Sequence, residues 1–206
     1  MIRIGLYGGS FDPVHFGHLI SARAVAEQLS LSKVVLIPCA RPPHPKNHDL
    51  TEIRERVRML ELAAHGDSLF EVDDLESRRE GPSYTFDTVN AYRTTFGNTA
   101  ELFWIIGGDS LPELPTWYRV SELVTRVQIV TAVRPGWTPP RRDLLVDAVG
   151  DPAAAALLSH CLKTPHIEIS ATDIRARVAS GRSIHNLTPP AVEAHILQKG
   201  LYRGDS

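Results

Sequence analysis

Two histidines spaced three residues apart stand in the most unusual stretch of this sequence. Residues 8–18 read GGSFDPVHFGH, so His15 and His18 follow a glycine pair and open a segment of helical period. At this spacing both imidazole rings can lie on one face of a helix near its N-terminus. That end of a helix has unpaired N–H groups and partial positive charge, and glycine lets a ligand approach the backbone. These residues predict a site that binds phosphate groups.

A second segment of the same chemical character lies near the C-terminus. Residues 169–175 read ISATDIR and lead into another helical segment. Ser170 or Thr172 can cap that helix, and Arg175, one turn further on, can reach back to an anion at its N-terminus. Helix capping without a ligand is the structural alternative for the two hydroxyl groups.

Three further segments combine aromatic, hydroxyl and acidic side chains. Residues 81–88 (GPSYTFDT) precede a helical pattern, residues 105–110 (IIGGDS) follow the longest apolar run, and residues 115–118 (PTWY) come soon after. Thr85 and Asp109 are also typical helix-capping residues, and Trp117 can be an ordinary half-buried aromatic. A fourth segment, residues 38–46 (PCARPPHPK), follows a short apolar run.

Short β-branched runs alternate with stretches of helical period along the whole chain. This alternation predicts a doubly wound α/β fold of the dinucleotide-binding (Rossmann-like) class, with a mostly parallel sheet and helices on both faces. Strands are predicted at 2–7, 34–37, 69–72, 102–106, 127–133 and around Ile167 and Ile169, and helices at 16–29, 51–64, 85–96, 172–179 and 190–199. Ligands of such folds bind beyond the carboxyl ends of the strands, where the unusual segments lie. The Arg- and Glu-rich face of 51–61 is predicted to be solvated, and 136–142 to be a surface loop.

Length, charge and cysteine content limit the class of protein. The 206 residues predict a single domain, 1–206, with a C-terminal helical part from about 170. A formal charge of −2 gives no bulk attraction to nucleic acid or membranes, so neither is expected as a partner. Cys39 and Cys161 form no CxxC pair, the start of the chain does not resemble a signal peptide, and no apolar run approaches a membrane span. A cytoplasmic location is expected, and a homo-oligomer stays open.

The motifs resemble those of a known family. Residues 8–18 resemble the GxFDPxHxGH signature of the nucleotidyltransferase superfamily, and residues 170–175 resemble its SxTxxR element. The segments at 81–88, 105–110 and 115–118 are similar to the SYTxxT, IGxD and Trp segments of nicotinate-nucleotide adenylyltransferases. The resemblance runs from about residue 2 to residue 202.

This resemblance implies an enzyme of NAD biosynthesis that transfers AMP from ATP to nicotinate mononucleotide, releasing pyrophosphate and giving nicotinate adenine dinucleotide. It implies catalytic roles for His15, His18 and Arg175. The implied ATP-binding residues are Gly8, Gly9, Ser10, Phe11, Gly107, Asp109, Arg134, Ser170 and Thr172. The implied nicotinate mononucleotide-binding residues are His44, Lys46, Tyr84, Thr85, Trp117 and Tyr118. Mg²⁺ would be held by the phosphates of ATP, with no metal ligand from the protein.

The sequence departs from the family pattern at one point, and it leaves several alternative functions open. Pro45 separates His44 from Lys46, where the family has a direct His-Lys pair, so a solvated loop is the alternative for both. Other acceptors are nicotinamide mononucleotide and pantetheine phosphate. A non-catalytic nucleotide sensor is a further alternative, as is a zinc protein in which His44 or His48 joins His15 and His18 as a ligand.

Overall fold

The computed structural model describes residues 1–43 and 50–204, and these residues build a six-stranded sheet. Its strands are β1 (Ile2–Gly9), β2 (Lys33–Pro38), β3 (Phe70–Val72), β4 (Ala100–Gly107), β5 (Gln128–Val133) and β6 (Cys161–Lys163). They lie in the order β3-β2-β1-β4-β5-β6, and every pairing is parallel. The predicted doubly wound α/β class is confirmed, with a sheet that is parallel throughout.

Helices connect the strands and cover both faces of the sheet. They are α1 (Phe16–Leu29), α2 (Ile53–Ala64), α3 (Thr85–Phe96), α4 (Val120–Arg126), α5 (Arg142–Val149), α6 (Asp151–Ser159), α7 (Ala171–Ala179) and α8 (Pro190–Lys199). Single 3₁₀ turns lie at Gly108–Ser110 and Leu114–Thr116. Within the described residues, no helix is both long enough and apolar enough to cross a bilayer.

The sheet is apolar on both sides because each side packs against helices. In β4, Leu102, Trp104 and Ile106 face one core, and Phe103 and Ile105 face the other. Helices α3 to α6 contribute to the first core, and α1, α2, α7 and α8 to the second. A strand buried on both faces needs no polar alternation, which is why β4 is a continuous apolar run.

The strand order determines where a ligand can bind. The chain builds outward from β1 through β2 to β3, then returns to the other side of β1 and continues through β4 to β6. The connections after β1 and β4 therefore diverge and leave a crevice at the carboxyl ends of these two strands. The motif at residues 8–18 and the segment at 105–110 both lie at this end.

The strand predicted around Ile167 and Ile169 is wrong. The last strand is β6, and residues 164–170 have no regular structure. Thr164 donates its N–H to the Val133 carbonyl, after which the chain leaves the ladder. Ile169 then packs against the core on the α1 side. The two isoleucines follow the period of a strand, but they lie in an extended segment without strand partners.

Two further expectations need correction or extension. The Arg- and Glu-rich face of α2 is not fully solvated, because Arg56 is buried with 1% of its surface exposed. Helices α4, α5 and α6 were not predicted from the sequence. Gly150, at φ 82°, separates the last two of these short helices, so neither has the length of a clear helical pattern.

Candidate active site

The end of β1 approaches aromatic rings so closely that it requires glycine. A Cβ atom at Gly8 would lie 2.5 Å from the ring of Trp104, which is buried in the neighbouring strand. A Cβ atom at Gly9 would lie 3.1 Å from the ring of Phe11. Phe11 is buried and has a φ of 48°, so the chain turns sharply here. These packing constraints fix the backbone that borders the crevice.

His15 and His18 stack on each other at the start of α1. Their ring centroids are 3.8 Å apart, with 27° between the planes. The backbone N–H of His15 donates to Nδ1 of His18 at 3.3 Å, so a neutral His18 carries its proton on Nε2. A Cβ atom at position 17 would lie 2.9 Å from the His15 ring, which explains the glycine between the histidines.

Burial keeps both imidazoles neutral near pH 7. Burial, followed by the charge of Arg134, lowers the pKa of His15 to about 4. Burial, followed by the neighbouring His15, lowers the pKa of His18 well below its ordinary value. The pair therefore offers N–H donors to an anion, and the positive charge must come from other groups.

The N-terminus of α7 lies against that of α1. The carbonyl oxygen of Ile169 would be 3.3 Å from a Cβ atom at Gly17, so the two helix starts are in contact. Ser170 caps α7, since its Oγ accepts from the N–H of Asp173 at 3.1 Å. Ser170 and Thr172 are both exposed. The capping role foreseen for Ser170 is present, and its exposure leaves it accessible to a ligand.

Two arginines approach the histidine pair from different elements. Arg175 of α7 donates to the backbone carbonyl of Asp12 at 2.7 Å. Arg134 follows β5, and its charge reaches both His15 and Tyr7. Burial raises the pKa of Tyr7 to about 12, and Arg134 opposes that rise. The structure thus brings together the predicted phosphate-binding residues from three separate parts of the chain.

A cavity of about 450 Å³ opens beside this cluster, over the carboxyl ends of the strands. The residues that line it come from the carboxyl ends of β1 and β4, from the start of α3 and from the segments that follow β1, β2, β3 and β4. They are Tyr7, Gly8, Gly9, Ser10, Cys39, Pro42, Pro43, Glu76, Ser83, Tyr84, Thr85, Trp104, Ile106, Gly107, Ser110, Glu113, Thr116, Trp117 and Tyr118. All four described residues that were predicted to bind the acceptor nucleotide are among them.

Aromatic side chains form one wall of the cavity. Tyr84 and Tyr118 stack with centroids 4.4 Å apart and 29° between their planes. Phe86 meets the edge of Tyr118 at 6.2 Å, and Arg119 lies over Phe86 at 4.1 Å. Trp117 is half-buried beside them. Such a wall offers faces on which a planar ring can stack.

The N-terminus of α3 also borders the cavity. Thr85 is its first residue, and among the described residues no backbone carbonyl accepts from the N–H of Thr85 or Phe86. Just before them, the buried Ser83 exchanges hydrogen bonds with the backbone of Arg41 at 2.8 and 3.0 Å, which anchors the start of the helix. Free N–H groups at a helix start are suited to an anionic group such as a carboxylate.

Glu76 and Trp104 line the cavity although the sequence did not single them out. Glu76 is 5% exposed, its Oε1 accepts from the Thr88 hydroxyl at 2.6 Å, and burial raises its pKa. It lies in a charged run typical of exposed loops, so the sequence carries no signal of its burial. Trp104 lies within an apolar strand, where a tryptophan is normally read as core. The one sequence feature that could have indicated its place at the cavity is Gly8 on the adjacent strand, which makes room for its ring.

Some predicted site residues lie elsewhere. Asp109 is exposed in the turn after β4 and does not line the cavity, whereas its neighbours Gly107 and Ser110 do. His44 and Lys46 lie outside the described residues, so their predicted roles stay predictions. The same holds for the zinc alternative, whose third ligand, His44 or His48, also lies outside the described residues. Within 1–43 and 50–204, no group of three or more histidine, cysteine or acidic side chains is placed to hold a metal ion.

Comparisons with known protein sequences identify the family, and a solved structure shares the fold. Residues 6–177 match the family described as cytidylyltransferase-like. A protein of Moorella thermoacetica named probable nicotinate-nucleotide adenylyltransferase is 39% identical over 98% of this chain and 92% of its own length. A protein of the same name from Pseudomonas fluorescens is 41% identical over 98% and 97%. A solved structure of Plasmodium falciparum nicotinic acid mononucleotide adenylyltransferase, complexed with NaAD, has a TM-score of 0.74 at 18% identity and covers 98% of both chains.

Proposed function

The chain belongs to the nicotinate-nucleotide adenylyltransferases of the cytidylyltransferase-like family, and from this membership we propose that it transfers AMP from ATP to nicotinate mononucleotide. The products are nicotinate adenine dinucleotide and pyrophosphate, and the reaction belongs to NAD biosynthesis. One observation carries the proposal: a single cavity joins the phosphate-binding end of β1 to the aromatic wall and the open N-terminus of α3.

The reaction in this proposal needs positioning and charge neutralisation rather than a general base. The 5′-phosphate of the mononucleotide attacks the α-phosphorus of ATP, and the bond to the leaving pyrophosphate breaks. A phosphate monoester has a second pKa of roughly 6, so it is already mainly a dianion at neutral pH. In-line alignment and donors aimed at the developing charge then lower the barrier.

Two kinds of residue would stabilise the phosphates at the end of β1: neutral hydrogen-bond donors and positively charged arginines. The Nε2–H of His18 and the ring of His15 lie at the start of α1, where, among the described residues, no backbone carbonyl accepts from the N–H of Gly17. Arg134 and Arg175 supply positive charge that the neutral imidazoles lack. Ser170 and Thr172 border the same place from α7. We assign His15, His18 and Arg175 to the transferred and leaving phosphates.

Mg²⁺ enters with ATP in this proposal. The carboxylate of Asp12 is engaged by Thr51 and Tyr202, and the histidine pair and the nearby arginines suit an anion, so the metal would be coordinated by phosphate oxygens and water. When bound it would neutralise charge on the leaving pyrophosphate.

We also keep the cytoplasm as the expected location of the reaction.

Selectivity for the acceptor rests on the aromatic wall and the N-terminus of α3. We propose that the pyridine ring stacks on Trp117 beside Tyr84 and Tyr118, and that its carboxylate accepts from the N–H and side chain of Thr85. The amide of nicotinamide mononucleotide carries no charge for the helix terminus and leaves part of these donors unpaired. A site with donors placed for one polar group can reject an analogue strongly.

The test supplies ATP and Mg²⁺ with nicotinate mononucleotide or nicotinamide mononucleotide in parallel, and measures pyrophosphate and dinucleotide. We expect kcat/KM for the nicotinate substrate to exceed that for the amide by about 100-fold or more. Equal values would keep adenylyl transfer and overturn the role of Thr85. If neither substrate gives product, pantetheine phosphate becomes the next acceptor to test. If that compound also gives no product, the result would favour a nucleotide sensor.

A further inference from the structure

A buried arginine of α2 joins the loops that follow β1 and β2. Arg56 is 1% exposed and donates three hydrogen bonds of 2.8 Å, all to backbone carbonyl oxygens. Its Nη1 donates to Ser10, directly after β1, and to Cys39, directly after β2. Its Nε donates to Thr51, close to the start of α2. Ser10 and Cys39 both line the cavity.

Arg56 is linked to Asp12 through Thr51, whose carbonyl accepts from Arg56 and whose N–H donates to the Asp12 carboxylate, and Asp12 in turn contacts Arg175. Burial lowers the pKa of Arg56, and Asp12 is the strongest of the groups that oppose this change. Asp12 is 2% exposed and accepts from the N–H of Thr51 at 3.2 Å and from the Tyr202 hydroxyl at 2.6 Å. Its backbone carbonyl accepts from Arg175 at 2.7 Å.

Stability alone does not account for this arrangement. A buried charged side chain stabilises a fold weakly at best, and apolar side chains of similar volume often do as well. The donors of Arg56 point to backbone carbonyls of two neighbouring loops, those after β1 and β2, which an apolar side chain could not hold in register. Planar guanidinium geometry supplies several donors in a fixed arrangement.

We infer that Arg56 is a positioning residue for adenylyl transfer, which keeps the loops after β1 and β2, and through Asp12 the side chain of Arg175, in the arrangement that the phosphates require. This inference rests on the proposed function. Arg56 acts through Ser10, Cys39 and Asp12 and not through contact with substrate. A displacement of about 1 Å at a reacting centre can lower a rate by about 100-fold, so the loss of this network should appear mainly in kcat.

The chain offers a matched control at the opposite end of the strands, away from the crevice. Arg93 of α3 also donates to three backbone carbonyls, those of Gly97, Ala100 and Arg126. Ala100 begins β4, whereas the crevice lies at its carboxyl end. Arg93→Gln therefore removes a comparable clamp without touching the cavity.

The first comparison measures melting temperature, kcat and both KM values of Arg56→Gln and Arg93→Gln. We expect both variants to lose thermal stability, kcat to fall by about 100-fold in Arg56→Gln, and kcat of Arg93→Gln to stay within about twofold of wild type. Arg56→Lys keeps a charge beside Asp12 without the planar fork, so it should restore melting temperature more fully than kcat. Equal kcat values in the two glutamine variants would overturn the inference.

Two further measurements keep the test decisive. If Arg56→Gln does not fold, Arg56→Lys and Tyr202→Phe replace it; the latter removes one hydroxyl from Asp12 and should lower kcat with unchanged KM values. Wild-type kcat in either would contradict the inference. If wild-type protein makes no dinucleotide, the proposed function fails, and calorimetric affinity for ATP decides instead. Weaker ATP binding in Arg56→Lys but not in Arg93→Gln then supports positioning, and equal binding refutes it.

Discussion

His18 is held in one orientation and one tautomer by the backbone of its neighbour. The His15 N–H donates to Nδ1 of His18, and the His15 ring stacks on it, so the Nε2–H is set by packing before any ligand arrives. A donor that is preorganised in a buried site needs no rearrangement when negative charge develops. Because the His18 imidazole is neutral in the protein without ligand, it does not repel the nearby arginines.

Removing the His18 ring should therefore affect turnover far more than folding. In His18→Ala we expect kcat to fall by about 100-fold or more, as for the loss of one preorganised donor. The free energy of unfolding should fall by about 1–3 kcal/mol, since one backbone-to-side-chain hydrogen bond and the ring contacts with His15 and Phe11 are lost. Steady-state kinetics and urea unfolding of the same preparations measure both quantities.

His18→Asn is the matched control for the loss of the hydrogen bond. Its side-chain carbonyl can still accept from the His15 N–H, so stability should return toward wild type while kcat stays low. Near-wild-type kcat in His18→Ala would remove His18 from the reaction. Recovery of kcat in His18→Asn would show that orienting the His15 backbone is its whole role.

At the scale of single residues, the sequence predicted which residues line the cavity better than which residues support it. The described acceptor-site residues, Tyr84, Thr85, Trp117 and Tyr118, do line one cavity, because loop residues with chemical function stand out in polar surroundings. Arg56 did not stand out, because a charged residue on an amphipathic helix is normally solvated. Its burial depends on carbonyls from the loops after β1 and β2, and long-range contacts of this kind leave no local pattern.

Neighbouring elements constrain each other at the carboxyl ends of β1 and β4. Leu6 of β1 lies opposite Trp104 of β4, and the Trp104 ring continues along the strand to cover Gly8. The strand β1 therefore needs a residue without a side chain where it enters the crevice. Gly107, at the end of β4, differs from Gly8, because a Cβ atom there would have no neighbour within 4 Å and the backbone is extended, with φ −76°.

This contrast predicts opposite results for two glycine-to-alanine changes. Gly8→Ala places a methyl group 2.5 Å from the buried Trp104 ring, which must shift, so we expect a loss of stability. Overpacking of a core typically lowers the free energy of unfolding by about 1–3 kcal/mol. Gly107→Ala meets no neighbour and reduces the freedom of the unfolded chain, so it should be neutral or stabilise by less than about 1 kcal/mol.

Urea unfolding followed by tryptophan fluorescence measures both variants. A stability loss in Gly107→Ala that equals the loss in Gly8→Ala would contradict the packing account. A neutral Gly8→Ala would mean that Trp104 has room to move, and that close approach to a ligand is the sole reason for this glycine.

The elements themselves were predicted where local periodicity decides structure. Helices α1 and α3 begin and end at the predicted residues, since each has a clear apolar face and follows a polar loop. The segment around Ile167 and Ile169 has the same local character as a strand. Whether such a segment pairs depends on the sheet edge beside it, and β6 already occupies that edge. Local sequence could not decide this competition.

Across the whole molecule, anion binding depends on local geometry and not on net charge. The formal charge is −2, yet the loops after β1 and β5 and the start of α7 gather arginines and helix N-termini at one edge of the sheet. The buried histidines at that edge connect the site to the stability of the entire fold, because each of them must stay neutral to remain buried.

This connection predicts a specific loss of stability in acid. The pKa of folded His15 is lowered to about 4 from an ordinary value of 6.5, so between these values the unfolded chain binds more protons than the folded one. Stability is therefore fully present above pH 6.5 and falls as the pH drops toward 4, by up to roughly 3 kcal/mol from this residue. His18 contributes in the same direction, since its pKa is also lowered.

Urea unfolding of wild type and His15→Asn from about pH 7.5 to about pH 4.5 isolates this effect, because asparagine retains good N-cap character without titrating. The raised pKa of Glu76 has the opposite effect, because it makes the folded state more stable as the pH falls. This effect is present in both proteins and cancels in the difference between their stabilities. Wild type should lose stability relative to His15→Asn as the pH decreases below 6.5. A difference that stays constant over this range would show that His15 can be protonated without penalty in the folded protein, and would remove the basis for treating it as a neutral donor.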